Sequence, residues 1–201
     1  MIRTFKTHEV RMQEELTESL WEFEPCEGDY AGIKFQMATP GCFETNPLFA
    51  NYRGEAYFRK KITAGGNIRI ECKGVSHTAT VLLDGEQIAQ HYNAYTPFSV
   101  IKKDLTEGTH LLEIKVDNRF TEKSALHIPN DYMSYGGVSR PVVLEKIGAL
   151  YFEYVHVKTY HKNGKWTAGV KVAVHILDHK RLIGENVVIS LQIGEVIYDW
   201  Q

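Results

Sequence analysis

A period of two constrains this chain more than any other feature of its sequence. Leu112, Ile114 and Val116 alternate with Glu113 and Lys115. Val170, Val172, Val174 and Ile176 share one face of a second run, and Val187, Ile189, Leu191 and Ile193 share one face of a third. Successive strand side chains point to opposite faces, so such alternation predicts antiparallel strands with one face buried. No segment after residue 20 carries a helical period. The stretch from Arg11 to Leu20 suits either a short helix or a polar lead-in to a strand at Trp21-Glu22-Phe23.

Turn chemistry fits the same picture. Asp84-Gly85 separates Thr80-Val81-Leu82-Leu83 from Gln87-Ile88-Ala89-Gln90, and Asn163-Gly164 separates Val155–Tyr160 from Trp166. A two-residue hairpin turn needs positive φ at both positions, which these pairs supply. Ala64-Gly65-Gly66-Asn67 and Glu107-Gly108-Thr109 are predicted to be further turns. The expected fold class is therefore all-β, with short strands at roughly 8–12 residue spacing in a sandwich or barrel. A boundary is expected near Gly148-Ala149. Residues 149–201 hold three or four regular strands, about half a sandwich, with an apolar face left to cover. The expectation is a fragment of a longer protein.

Composition narrows the function classes. Hydrophobic residues make up 43% of the 201, enough for a packed core, and the net charge is −2. That balance gives no electrostatic reason to expect nucleic acid. No apolar run approaches the roughly 18 residues of a membrane span, so no membrane partner is expected. The N-terminus lacks the apolar core of a secretory signal. Cys26, Cys42 and Cys72 are odd in number and widely spaced, which reads as free thiols and a cytoplasmic home. No cofactor is expected. His175 and His179 have the spacing of a helical metal site. On a strand and its turn they would stand about 13 Å apart, at about 3.3 Å per residue, so no metal is expected either.

One stretch carries chemistry. After the run Leu112–Val116 ends at Asp117-Asn118, a long loop leads to Asn130-Asp131-Tyr132-Met133-Ser134-Tyr135-Gly136-Gly137-Val138-Ser139-Arg140. Long loops in compact β domains are often functional. A carboxylate beside aromatics, here Tyr132 and Tyr135, suits a sugar, because it accepts hydrogen bonds from hydroxyls while aromatic faces cover C–H surfaces. Asp131 is the main candidate substrate-binding residue. Asn130 could add a donor and an acceptor, and Tyr132 an apolar wall. The plainer alternative for Asp131 is a turn cap through its own backbone. Tyr132 could instead pack beneath the loop, and His127 is a weaker candidate. Tyr135 and Arg140 more often pin such a loop to its scaffold. Gly136-Gly137 permits torsions closed to residues with a Cβ. Trp21, Trp166 and Trp200 are expected in the core or half-buried on strands, and Cys72 in the core.

Seven segments, in order, resemble family 2 glycoside hydrolases, the β-galactosidases and β-glucuronidases. They are Leu20-Trp21-Glu22-Phe23, Thr39-Pro40-Gly41, Asn51–Lys60, Gly74–Gly85, His91–Phe98, Val116-Asp117-Asn118 and Gly136–Arg140. The resemblance implies a galactose-binding-type jelly-roll sandwich over residues 1–148. It also implies the first half of an immunoglobulin-like sandwich over 149–201. In the family a (β/α)₈ barrel follows and performs retaining hydrolysis with two glutamates, one of them directly after an asparagine. No Asn-Glu dipeptide occurs here. The resemblance thus implies a non-catalytic N-terminal part that contributes one wall of the active site, with Asp131 reaching the terminal sugar of a glycoside. The implied partners are that sugar, the missing catalytic barrel and further copies in a homo-oligomer. A free-standing carbohydrate-binding module and a purely structural or interaction sandwich remain the competing readings.

Overall fold

The computed structural model describes residues 13–119, 135–193 and 195–200. The chain forms two compact units, Met1–Lys146 and Ile147–Gln201. Among the described residues there is no α-helix, only single 3₁₀ turns at Phe43–Thr45, Pro47–Phe49 and Lys180–Leu182. The all-β expectation holds.

The first unit holds strands β1 (Gln13–Glu15), β2 (Ser19–Pro25), β3 (Phe35–Thr39), β4 (Glu55–Cys72), β5 (Thr78–Leu83), β6 (Glu86–Tyr92), β7 (Phe98–Asp117) and β8 (Val142–Ile147). They join in the order β1-β8-β4-β7-β5-β6, with β2 bridging β3 and β4. The polar lead-in is thus the short strand β1 and its link to β2, not a helix. Alternation decides what is buried. Trp21 and Phe23 of β2, Ala79, Val81 and Leu83 of β5, and Leu112, Ile114 and Val116 of β7 all face the core. Phe23 sits with its ring centroid 4.9–5.5 Å from Phe43, Phe49 and Phe58. Such aromatic pairs add about 0.5–1.5 kcal/mol each beyond area burial. Trp21 and Cys72 are core residues as expected.

The turn chemistry is confirmed at the short hairpins. Asp84 and Gly85 have φ of 51° and 81°, and Asn163 and Gly164 have 52° and 76°. Two other expected turns are corrected. Ala64–Asn67 and Glu107–Thr109 lie inside β4 and β7 and pair with each other, Ala64 opposite Gly108. The register shifts at Ala64, Gly66 and Ile68 mark bulges, which bend a strand without ending it. Glycine serves here because a Cβ on Gly65 would lie 2.3 Å from the Glu107 carboxyl carbon.

The second unit holds two hairpins. One pairs β9 (Leu150–Lys162) with β10 (Lys165–Ile176), and the other pairs β11 (Ile189–Ile193) with β12 (Val196–Trp200). Val187 was expected on the third alternating run but precedes its strand. The side chains of Ile193 and Trp200 lie outside the described residues. Trp166 corrects an expectation: it is 72% exposed on its hairpin, neither in a core nor half-buried. An open groove of about 740 Å³ runs within this unit, lined by Phe152, Val155, Trp166, Val172, Leu191 and Tyr198 among others.

Candidate functional site

The stretch that carries the expected chemistry falls between Asn118, just past the end of β7, and Gly136. Asp131, Asn130 and Tyr132, with His127, lie outside the described residues. The structure does define the two anchors between which they fall.

The outgoing anchor is the end of β7. Arg119 donates from its backbone N–H and its Nε to Asp117 Oδ1, both at 3.0 Å, and from Nη2 to Oδ2 at 2.8 Å. Its Nη1 reaches Glu27 at 3.0 Å. Burial pushes the Asp117 carboxyl up, but the bonds and charge of Arg119 outweigh it and hold the group below its ordinary value. Glu27 also lines a cleft of about 280 Å³ with Asp29, Tyr30, Pro47, Asn51 and Tyr52. Asn118 is fully buried. Its Oδ1 accepts from the Gly54 N–H and its Nδ2 donates to the Tyr52 carbonyl, both at 2.9 Å.

The returning anchor is a zipper. The Phe43 N–H donates to the Gly136 carbonyl at 2.8 Å, and the Gly41 N–H to the Val138 carbonyl at 2.8 Å. On the other side Ser76 and Gly137 exchange two backbone bonds, at 2.9 and 3.1 Å. Ser139 and Arg140 both donate to the Gly74 carbonyl. The two glycines serve different needs. Gly137 has φ of 138°, and a Cβ there would lie 2.5 Å from the Gly41 carbonyl oxygen. Gly136 makes room for a neighbour, since a Cβ on it would lie 2.4 Å from the Asn118 Cβ. Asn118 and Gly136, the two ends of the loop, therefore touch.

Glu44 completes the contact. Both its carboxylate oxygens accept from the Gly136 N–H, at 3.2 Å each, and Oε1 pairs with Arg53 Nη1 at 2.9 Å. Its side chain is 5% exposed. His77 lies buried beside these groups, and its backbone N–H donates to the Asp117 carbonyl at 3.1 Å. Burial, with the positive Arg53 nearby, pushes its imidazole below the ordinary value. Cys42 is half-buried, and burial and Glu44 together push its thiol up, so it is a poor nucleophile.

Of the scaffold expectations, Arg140 behaves as anticipated. Its Nη1 donates to the Tyr95 carbonyl at 3.1 Å, and its stem lies against Gly74. Tyr135 does not. It is 54% exposed, and the neighbouring Gly136 backbone makes the anchor instead. Sequence reasoning missed Glu44, Arg53 and His77. Glu44 stands 92 residues from its partner Gly136, so no local pattern could have revealed it.

Residues 49–149 match the family model for the glycosyl hydrolase 2 galactose-binding domain-like module. Among solved structures, a family 2 β-galacturonidase from Eisenbergiella tayi bound to galacturonate is 46% identical with a TM-score of 0.82. The match covers 88% of this chain and 32% of that one. A β-glucuronidase from an uncultured Clostridium species has a TM-score of 0.72 at 20% identity, over 87% of this chain and 35% of that one. A β-D-glucuronidase from Dictyoglomus thermophilum has a TM-score of 0.68 at 21% identity, over 82% and 33%. At those identities the last two speak for the fold alone. The chain spans about a third of the length of these structures. Comparison with curated protein sequences yields no match. With the domain-model match running through β4 to β8 and both loop anchors, the chain belongs to glycoside hydrolase family 2, and its first unit carries the galactose-binding-like domain of that family.

Proposed function

We propose that this chain is the N-terminal part of a retaining family 2 glycoside hydrolase that removes terminal β-linked uronic acids, galacturonic acid first among them. One observation carries the reading: 46% identity across 88% of the chain to a β-galacturonidase. In this reading residues 1–148 form a jelly-roll wall of the active site, and residues 149–201 begin an immunoglobulin-like sandwich. A barrel beyond Gln201 supplies two carboxylates about 5–5.5 Å apart, one as nucleophile and one as acid/base. The chain itself is catalytically silent, and the full enzyme is a cytoplasmic homo-oligomer.

Asp131 reaches the sugar from this wall. An ionised carboxylate accepts two charge-assisted hydrogen bonds, about twice as strong as neutral ones, and adjacent sugar hydroxyls present two donors. Asn130 adds a donor and an acceptor, and Tyr132 covers a C–H face. A uronic acid carries its own carboxylate, so Asp131 must address hydroxyls, and a cation from elsewhere in the full enzyme must take the acid group. The test is a panel of p-nitrophenyl β-galacturonide, β-glucuronide and β-galactoside with the longer protein, following the anomer first released by NMR. Cleavage of a uronide with retention is expected. Cleavage of the galactoside alone would sink the uronide assignment, and the inverted anomer would sink the mechanism.

A further inference from the structure

We propose that Glu44 is a positioning residue for substrate binding, acting through the Gly136 amide. The inference rests on the function proposed above, in which the segment between Asn118 and Gly136 meets the sugar.

The geometry points to it in three ways. Glu44 is a nearly buried carboxylate whose two oxygens converge on one backbone N–H, that of Gly136. It is held in turn by Arg53, which also donates to the Tyr52 carbonyl at 3.0 Å. The same carbonyl accepts from Asn118, and a Cβ on Gly136 would strike Asn118. Glu44, Arg53, Tyr52, Asn118 and Gly136 thus form a closed ring of contacts that fixes both ends of the segment to one point. Burying a carboxylate is costly unless it is paired and hydrogen-bonded. A neutral turn residue could hold Gly136 without that cost. Using the charge gives the amide a stronger, more directional acceptor. The residue immediately before this amide is Tyr135, whose ring stands in solvent. The clamp therefore fixes the backbone at Gly136, directly after an exposed residue. A misplacement of about 1 Å in a substrate contact is enough to cost on the order of a hundredfold in rate.

Two measurements test this. In the 201-residue chain, hydrogen exchange at the Gly136 amide is read for wild type, Glu44→Gln and Glu44→Asp. Glu44→Gln keeps one acceptor toward Arg53 and preserves the fold. Exchange at Gly136 should rise at least about tenfold in Glu44→Gln, while the β5 and β7 amides stay unchanged. Glu44→Asp should restore part of the protection. In the longer enzyme, Glu44→Gln should lower kcat/KM for the β-galacturonide about tenfold. Combined with Asp131→Ala, it should add no further loss, because both changes remove the same contact. A merely structural glutamate would give losses that multiply. Multiplicative losses, or unchanged Gly136 exchange, overturn the proposal while leaving uronide hydrolysis standing. A wild-type enzyme inert toward uronides overturns the proposed function and this inference together.

Discussion

Replacing Asn118 with alanine should destabilise the first unit by about 2–4 kcal/mol. The figure follows from what the side chain satisfies. Its Oδ1 is the acceptor for the Gly54 N–H inside the protein, and its Nδ2 donates to the Tyr52 carbonyl. Alanine leaves the Gly54 N–H buried without that acceptor, which costs about 1–3 kcal/mol. The Tyr52 carbonyl suffers less, because it still accepts from Arg53. It forfeits only the net value of one hydrogen bond, about 0.5–1.5 kcal/mol. Asn118→Asp separates the two contributions: the acceptor stays, and an oxygen then faces the Tyr52 carbonyl. The assay is urea unfolding of the 201-residue chain, followed by tryptophan fluorescence, with Trp21 in the core as the reporter. A loss of this size also lowers Tm by about 5–15 °C, at about 2–4 °C per kcal/mol. A change below about 1 kcal/mol for Asn118→Ala would show that water or a shifted backbone replaces the side chain. Asn118 would then not be the residue that ties Gly54 and Tyr52 to the end of β7.

Gly136→Ala should cost about 1–3 kcal/mol by overpacking against Asn118, measured in the same unfolding assay. No loss would mean the contact relaxes freely. Stability should also depend on pH through one pair that joins the β5–β6 turn to β7. His110 presents Nδ1 to Asp84 at 2.6 Å and Nε2 to the Thr106 carbonyl at 2.8 Å, two acceptors that favour the imidazolium. The bond to Asp84 raises His110 above its ordinary 6.5, and His110 lowers Asp84 below its ordinary 3.8. The raised histidine contributes fully below pH 6.5 and loses its share as pH climbs through the folded value. The depressed aspartate contributes above 3.8 and loses its share as pH falls through the folded value. The urea midpoint should therefore fall above pH 6.5 in wild type, and His110→Gln should flatten that limb. An identical slope in both would refute the assignment. The isolated chain should bind galacturonate, glucuronate and galactose no tighter than about millimolar by calorimetry, since one wall offers few simultaneous contacts. Micromolar binding would favour a free-standing sugar-binding module. Asp131→Ala in the longer enzyme should lower kcat/KM about ten- to a hundredfold, the value of a hydrogen bond to a charged group. Unchanged kinetics would make Asp131 a turn cap.

What the sequence revealed was local, and what it hid was distant. Asp84-Gly85 and Asn163-Gly164 were legible because a tight turn is a two-residue problem. The buried faces of β2, β5 and β7 were legible because alternation is local too. Gly65-Gly66 misled, since the same residue that frees a turn also admits a bulge inside a strand, and only pairing with β7 distinguishes them. Trp166 misled because a large apolar side chain on a strand is expected to be at least half-buried, and this one is 72% exposed. At the candidate site, Gly136-Gly137 and Arg140 were visible as scaffold. The carboxylate that accepts from the Gly136 amide was not, because Glu44 sits in the 3₁₀ turn Phe43–Thr45, 92 residues away in sequence. Asn118 was noticed as a strand end, and its two hydrogen bonds span 64 and 66 residues.

β4 and β7 run side by side from Glu55–Asp117 to Cys72–Phe98, through the bulges and across the whole first unit. A ladder of that length works like a keel. The end that holds Asn118 and the opposite end near Phe98 are two ends of the same pair of rails, so neither can loosen alone without opening bonds along their length. Insertions and substitutions in the loops at the Asn118 end can then vary widely while the platform beneath them stays level. Under the function proposed above, such a frame lets residues that meet the sugar change without disturbing the sandwich that carries them.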